Sequence, residues 1–262
     1  MSAKSYSVTA SVLASTFGAW RGSMAVRKAR IQPAQLIELY EFEASPYCRL
    51  VREALTEMDL DAVIYPCPKG GTRFRPQVEA MGGKQQYPFM HDPNTGVKMY
   101  ESADIVNYLA KTYNSRLRVK TGFARQVQQY SAYMASVARL KLGMNKPFME
   151  RVAGYHALPS TAPAQLLELY SFESSPYSRP VREWLCEHEI PFILRSFGKD
   201  KVQDIGTEWV RLTLKAPVTG RNRTKMFEAT GRTQVPYLVD ANTGVAMHES
   251  RDILAYLQKT YG

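Results

Sequence analysis

The chain repeats itself, and the repeat limits how it can fold. Gln35–Tyr40 (QLIELY) returns as Gln165–Tyr170 (QLLELY), and Ser45–Arg49 (SPYCR) as Ser175–Arg179 (SPYSR), both 130 residues apart. Asn94–Val97 (NTGV) matches Asn242–Val245, Glu101–Ser102 matches Glu249–Ser250, and Tyr108–Leu109 matches Tyr256–Leu257, now 148 apart. The second copy therefore carries about 18 extra residues, near Lys201–Arg223. A chain of 262 residues holds one large domain or two small ones, and the repeat selects two.

Each copy predicts one string of elements. Leu36–Phe42 is rich in apolar and aromatic residues and reads as a strand. Ser45–Pro46 opens a helix, because proline suits the first helical turn and a preceding serine can cap it. Val51, Ala54, Leu55 and Met58 give that helix its buried face. A second strand follows at Ala62–Tyr65, and then a helix that stops at Gly82–Gly83. Two short strands near Pro88–His91 and Val97–Tyr100 flank the turn Asp92–Gly96. The last helix starts at Glu101–Ser102 and buries Ile105, Tyr108 and Leu109. The order is βαβ then ββα. The fold class is α/β, with two tandem thioredoxin-like domains, each a mixed four-stranded sheet.

The segments ahead of the two copies differ from them in charge. Residues 1–34 hold Lys4, Arg21, Arg27, Lys28 and Arg30 without an acid. Residues 114–165 hold Arg116, Arg118, Lys120, Arg125, Arg139, Lys141, Lys146 and Arg151 against Glu150 alone. The net charge of +10 thus comes from outside the repeated domains. Leu13, Phe17, Trp20 and Met24 have the spacing of one helix face, echoed by Tyr133, Val137, Leu140 and Met144. Val127, Tyr130, Met134 and Val137 extend the second pattern before Pro147, Pro159 and Pro163 break it. The expected layout is a basic amphipathic helix at 1–34, a domain at 35–115, a basic helical connector at 116–164 and a second domain at 165–262. Basic segments of this kind suit a solvated surface, an anionic membrane surface or an acidic protein, with nucleic acid the less expected partner.

Three cysteines, Cys48, Cys67 and Cys186, make neither a disulfide framework nor a metal-ligand cluster. A reducing, cytoplasmic location is expected. An acid-free, Ser- and Arg-containing start is also the pattern of an organellar targeting peptide. No apolar run approaches the roughly 20 residues that span a membrane.

S-P-Y-x-R after the first strand, a proline before the third, and E-S-x-x-I-x-x-Y-L at the last helix together resemble the N-terminal domain of glutathione transferases. The likeness covers roughly Leu36–Tyr113 and Leu166–Tyr261, and the usual helical C-terminal domain has no counterpart in it. The resemblance implies glutathione as co-substrate or ligand and assigns roles. Ser45 and Ser175 stand where the family activates the thiol, and a serine can donate a hydrogen bond to a thiolate. The simpler reading of each is a helix cap. Pro88 and Pro236 match the family's cis-proline, so that Tyr87 and Val235 offer main-chain hydrogen bonds to the cysteinyl unit. Glu101–Ser102 and Glu249–Ser250 match the pair that takes the γ-glutamyl end, a helix start suited to a carboxylate. Three functions are then open: a glutathione transferase-like enzyme acting on a small electrophile, a non-catalytic glutathione-binding or scaffold protein docking on an anionic surface, or a glutaredoxin-like oxidoreductase using Cys48. Serine at positions 45 and 178 rules out a dithiol pair.

Overall fold

The computed structural model describes residues 7–140, 152–201, 204 and 217–262. Most of the 18-residue insertion lies outside them, as do Lys4, Lys141, Met144, Lys146, Pro147, Glu150 and Arg151. Among the described residues the first half runs β1 (Ile37–Glu41), α2 (Pro46–Met58), β2 (Ala62–Pro66), α3 (Arg75–Gly82), β3 (Phe89–Asp92), β4 (Val97–Tyr100) and α4 (Ser102–Thr112). The second repeats it as β5 (Leu167–Ser171), α6 (Ser178–Glu187), β6 (Phe192–Ser196), α7 (Arg221–Thr230), β7 (Tyr237–Asp240), β8 (Val245–His248) and α8 (Ser250–Thr260). One helix precedes each half, α1 (Val8–Phe17) and α5 (Gly122–Val137).

Within each half the first two strands are parallel and the remaining pairings antiparallel. The two sheets are not separate. β2 pairs antiparallel with β6, Val63 opposite Ile193, and the result is one eight-stranded sheet in the order β4-β3-β1-β2-β6-β5-β7-β8. Two apolar strands that would be exposed edges in isolated domains cover each other's unpaired backbone groups. The main core is continuous across the junction, from Leu55, Met58 and Ile105 to Trp184, Leu185 and Ile253.

Each half is locked by a carboxylate under its hairpin. Asp92 accepts from the Tyr108 and Tyr113 hydroxyls, both at 2.7 Å, and from the Asn94 amide groups. Asp240 does the same with Tyr256, Tyr261 and Asn242. This explains why the Asn-Thr-Gly turn and the final tyrosines recur together.

Buried charge ties the halves to each other. Arg52 on α2 bonds Glu173 at 2.8 Å across the junction and also pairs with Glu41 and Glu43. Arg182 on α6 returns the contact, to Glu43 at 3.0 Å and Glu173 at 3.1 Å. Burial alone would raise the Glu173 carboxyl, but Arg52, Arg182 and Arg49 together hold it below the usual carboxylate range. At the periphery Arg73 bonds the carbonyls of His188 and Glu189, and Arg221 bonds Asp61 and the Asp59 carbonyl.

The helices ahead of the halves depart from expectation. α1 ends at Phe17, so Trp20 and Met24 lie beyond it, and α5 ends at Val137, short of Leu140. Their large apolar side chains face outward: Leu13, Phe17, Val127 and Tyr130 are exposed. The inward faces are small, with Ser11, Ala14 and Ser15 on α1 and Ala132, Ala135 and Ser136 on α5. α1 and α5 pack against each other, which small residues allow at close range. α5 also packs on α2 of the first half, and α1 touches α6 of the second. Several bases there have internal partners: Arg21 with Glu53, Arg27 with Glu57, Lys28 with Asp200 and Arg139 with Glu183.

The chain leaving each of these two helices crosses to the opposite half and positions the site there. After α1 it runs along the second half: the Ser174 N–H donates to the Gly22 carbonyl, Lys199 N–H to Ser23, and Ala25 N–H to Lys199. After α5 it runs along the first half: Ala44 N–H donates to Gly154, Lys69 N–H to Tyr155, and Ala157 N–H to Lys69. Each half is thus edged by the segment that leads into the other.

Candidate functional site

Ser175 follows β5 and caps the start of α6. Its hydroxyl accepts from the Ser178 N–H at 3.2 Å and from the Ser178 hydroxyl at 2.9 Å. Ser45 accepts from the Cys48 N–H at 3.2 Å in the same position ahead of α2. Both serines are buried. Capping is therefore an observed role of each. A hydroxyl has two acceptor lone pairs and one proton. At Ser175 both lone pairs are engaged, and among the described residues its proton has no acceptor.

The Tyr87–Pro88 and Val235–Pro236 peptide bonds are cis. Glu101 and Glu249, the residues before α4 and α8, have φ of 67° and 71°. Such backbone is uncommon outside glycine and persists where its surroundings enforce it, often at ligand sites. Two glutamines hold these acids: Gln86 Nε2 donates to Glu101, and Gln234 Nε2 to Glu249 at 2.7 Å. Neither glutamine stands out as a motif, although both sit one residue ahead of the X-Pro pair in each copy and recur at the 148-residue offset. Ser102 and Ser250 open the helices that follow and are buried.

In the second half these residues converge. Ser175, Val235, Pro236, Glu249 and Ser250 line one cavity of about 1150 Å³. Its remaining wall contains Trp20, Ser23, Met24 and Val26 from the crossing segment, with Phe172 and Tyr177. That wall is invisible to a motif search. Its signal is the spacing Gly22-x-x-Ala25, repeated as Gly154-x-x-Ala157. Lys199, just after β6, also lines the cavity and lies over the Phe172 ring at 5.3 Å. Burial, with nearby Arg223, lowers its pKa.

In the first half aromatic rings gather around Phe42. The Tyr87 and Tyr155 rings both stand edge-on to Phe42, at 6.2 and 5.9 Å. Arg75 lies over Tyr87 at 4.9 Å and Lys69 over Tyr155 at 5.9 Å.

The cysteines are poorly placed for thiol chemistry. All three are buried. Burial, reinforced by Glu41, pushes Cys48 up to about 12, so little thiolate exists at neutral pH. Cys67 is also raised, chiefly by burial. Among the described residues no group of three or more His, Cys, Asp or Glu side chains could hold a metal ion, and no helix is long and apolar enough to cross a membrane.

A family model of the glutathione S-transferase N-terminal domain matches residues 39–117 and 169–262. No protein of curated function matches the chain. Among solved structures, a Bombyx mori glutathione transferase is 31% identical over 31% of this chain and 38% of its own, with a TM-score of 0.27. Glutaredoxin 2 of Salmonella typhimurium, solved in complex with glutathione, is 19% identical over 34% of this chain and 38% of its own, TM-score 0.26. A trimeric glutathione transferase of Leishmania is 12% identical over 86% of this chain and 67% of its own, TM-score 0.29. The chain spans less than two fifths of the length of the insect transferase.

Proposed function

Since this chain belongs to the glutathione S-transferase N-terminal domain family through both of its halves, we propose that it binds glutathione and activates its thiol for attack on a small electrophile. The observation that carries this reading is the convergence of Ser175, Val235, Pro236, Glu249 and Ser250 on one cavity.

The γ-glutamyl carboxylate meets the Ser250 hydroxyl and the N–H groups that open α8, where the helix dipole favours an anion. Glu249 takes the α-ammonium, oriented by Gln234. The main chain of Val235 pairs with the cysteinyl backbone. Lys199 supplies a cation for the glycyl carboxylate. Ser175 donates its remaining proton to the sulfur, which favours the thiolate and lowers its pKa. The thiol proton is released to solvent, and the thiolate then forms a carbon–sulfur bond as the leaving group departs with its electron pair. Ser45, Tyr87, Pro88, Glu101 and Ser102 form the equivalent set in the first half.

A second reading is glutathione binding without turnover, on a scaffold that docks to an anionic surface. The capping hydrogen bonds of both serines favour it, because they account for each serine without chemistry. The partners of Arg21, Arg27, Lys28 and Arg139 reduce the positive surface that such docking needs. The exchange reading through Cys48 is disfavoured by that thiol's burial and raised pKa.

Two assays separate these readings. Millimolar glutathione raises the melting temperature under both of the first two; an unchanged temperature removes both. Conjugation of an activated aryl halide falls in Ser175→Ala under the first alone. Binding without measurable conjugation favours the scaffold.

A further inference from the structure

α1 and α5 form an outer layer whose large apolar side chains point away from the rest of the chain. The two helices run antiparallel. Arg139 Nη1 donates to the Ser7 carbonyl at 2.6 Å near one end, and Arg21 Nη2 donates to the Gln128 carbonyl at 3.4 Å towards the other. Small residues face inward from both, which leaves the larger ones outside. Leu13 and Phe17 lie one turn apart on α1, and Phe123, Val127 and Tyr130 are spaced 4 and 3 along α5. Phe123 is 79% exposed and Tyr130 67%. A single exposed apolar side chain is ordinary. Two stripes on adjoining helices make a patch of the kind that marks an interaction surface.

The charge around this layer has one sign. Residues 7–34 and 114–140 contain no Asp or Glu. On the neighbouring α2, Glu53 and Glu57 are taken by Arg21 and Arg27. The bases that lead into α5 have no such partners. Arg116, Arg118 and Lys120 alternate with buried Leu117 and half-buried Val119, so all three point outward. Arg125 follows within α5 and is also exposed. Among the described residues none of these four pairs with a carboxylate, and Arg118 donates only to the Ser115 and Leu117 carbonyls. The first turn of α5 carries no acid and no side-chain cap, so its helix dipole adds to the positive field beside Phe123.

One occupant satisfies both features. A second copy of this chain brings the same uncompensated bases, so the face does not complement itself. A polyanion such as RNA would neutralise the bases but leave the apolar stripes in water. An anionic lipid surface offers phosphates and an apolar layer side by side. We infer that the α1/α5 layer is a docking face for an anionic membrane surface. Phe123 and Val127 enter the headgroup boundary, and Arg116, Arg118, Lys120 and Arg125 meet the lipid phosphates. The helices lie in the surface plane, since neither is long and apolar enough to cross a bilayer. This gives the docking part of the second reading above its partner and its residues, and it does not depend on glutathione.

Flotation of the full chain with phosphatidylcholine vesicles, with and without phosphatidylglycerol, tests this. The chain is expected to float with the anionic vesicles, to stay behind with the neutral ones and to be released by salt. Arg116→Gln and Arg118→Gln should each weaken the partition about fivefold, the effect of one base near an anionic leaflet, and Phe123→Ser about tenfold. All three side chains are exposed, so the melting temperature should hold in each variant. Lys225→Gln, an exposed base on α7, makes the same change in net charge away from this face and should leave binding intact. No binding to anionic vesicles, equal binding to neutral ones, or losses no larger than that of Lys225→Gln overturns the inference. So does a dimer in sedimentation that Val127→Asp dissociates, because a second copy then covers the face. None of these outcomes bears on the glutathione reading, which the melting shift with glutathione decides separately.

Discussion

Replacing Glu173 with glutamine tests how the halves are held together. The substitution is nearly isosteric, so it opens no cavity and removes only charge. In the native protein Glu173 meets Arg52 at 2.8 Å, Arg182 at 3.1 Å and Arg49 at 3.5 Å, with about 1% of its side chain exposed. Breaking a buried ion pair from one side costs about 3–5 kcal/mol, because the remaining charge stays buried. Here Arg52 keeps Glu41 and Glu43, and Arg182 keeps Glu43. The low end of that range, about 3 kcal/mol, is therefore expected. For a chain of this size it corresponds to roughly 6–12 °C in melting temperature. Urea unfolding followed by circular dichroism at pH 7 reads it directly. Glu57→Gln is the control, since its partner Arg27 is half exposed and such pairs contribute at most about 1 kcal/mol. The pH dependence has a definite sign. Glu173 has a depressed folded-state pKa, so its stabilisation is present above its unfolded value, about 4.3, and is lost as pH falls through the folded one. The gap between native and Glu173→Gln should narrow below about pH 4. A cost no larger than the control, or a gap that persists in acid, refutes the view that this network joins the halves.

The repeated features carry further expectations. Gly22→Ala and Gly154→Ala should each cost about 1–3 kcal/mol: both glycines have positive φ, and an added Cβ would lie 2.8 Å from Glu173 Cβ and 2.7 Å from Glu43 Cβ respectively. Gly22→Ala should also weaken ligand binding in the second half and leave the first unaffected, as read by titration. Asp240→Asn should cost about 1.5–3 kcal/mol at pH 7, the range for hydrogen bonds to a charged acceptor. Burial opposes the Asp240 charge, but the Tyr256, Tyr261 and Asn242 donors lower its pKa overall. That cost should thus fade as pH drops below about 4, measured by thermal unfolding across pH.

Much of this architecture is legible in the sequence because it is local. The caps at Ser45 and Ser175, the turns at Asp92 and Asp240, and the strand and helix order depend on residues close in the chain, and the repeat states each twice. The junction of the sheets is not legible. Ala62–Pro66 and Phe192–Ser196 read as buried strands, but apolar composition does not say which strand lies alongside. Arg52 and Glu43 look like solvated polar positions, since helical periodicity cannot distinguish a charge facing water from one facing a buried partner. The faces of α1 and α5 mislead for a related reason. Periodicity assigns the large apolar side chains inward, whereas close helix packing selects Ala14, Ser15, Ala132 and Ser136. The residues proposed to bind glutathione follow from the family pattern. The wall at Trp20 is not, because it comes from a segment that crosses to the opposite half.

The most direct test of glutathione activation by this chain is a crystal structure of the full chain grown with saturating glutathione. It should show the tripeptide in the second-half cavity, its γ-glutamyl carboxylate at Ser250 and its sulfur within hydrogen-bonding reach of the Ser175 hydroxyl. A cavity empty at saturation, or a tripeptide bound with its sulfur away from Ser175, would contradict it.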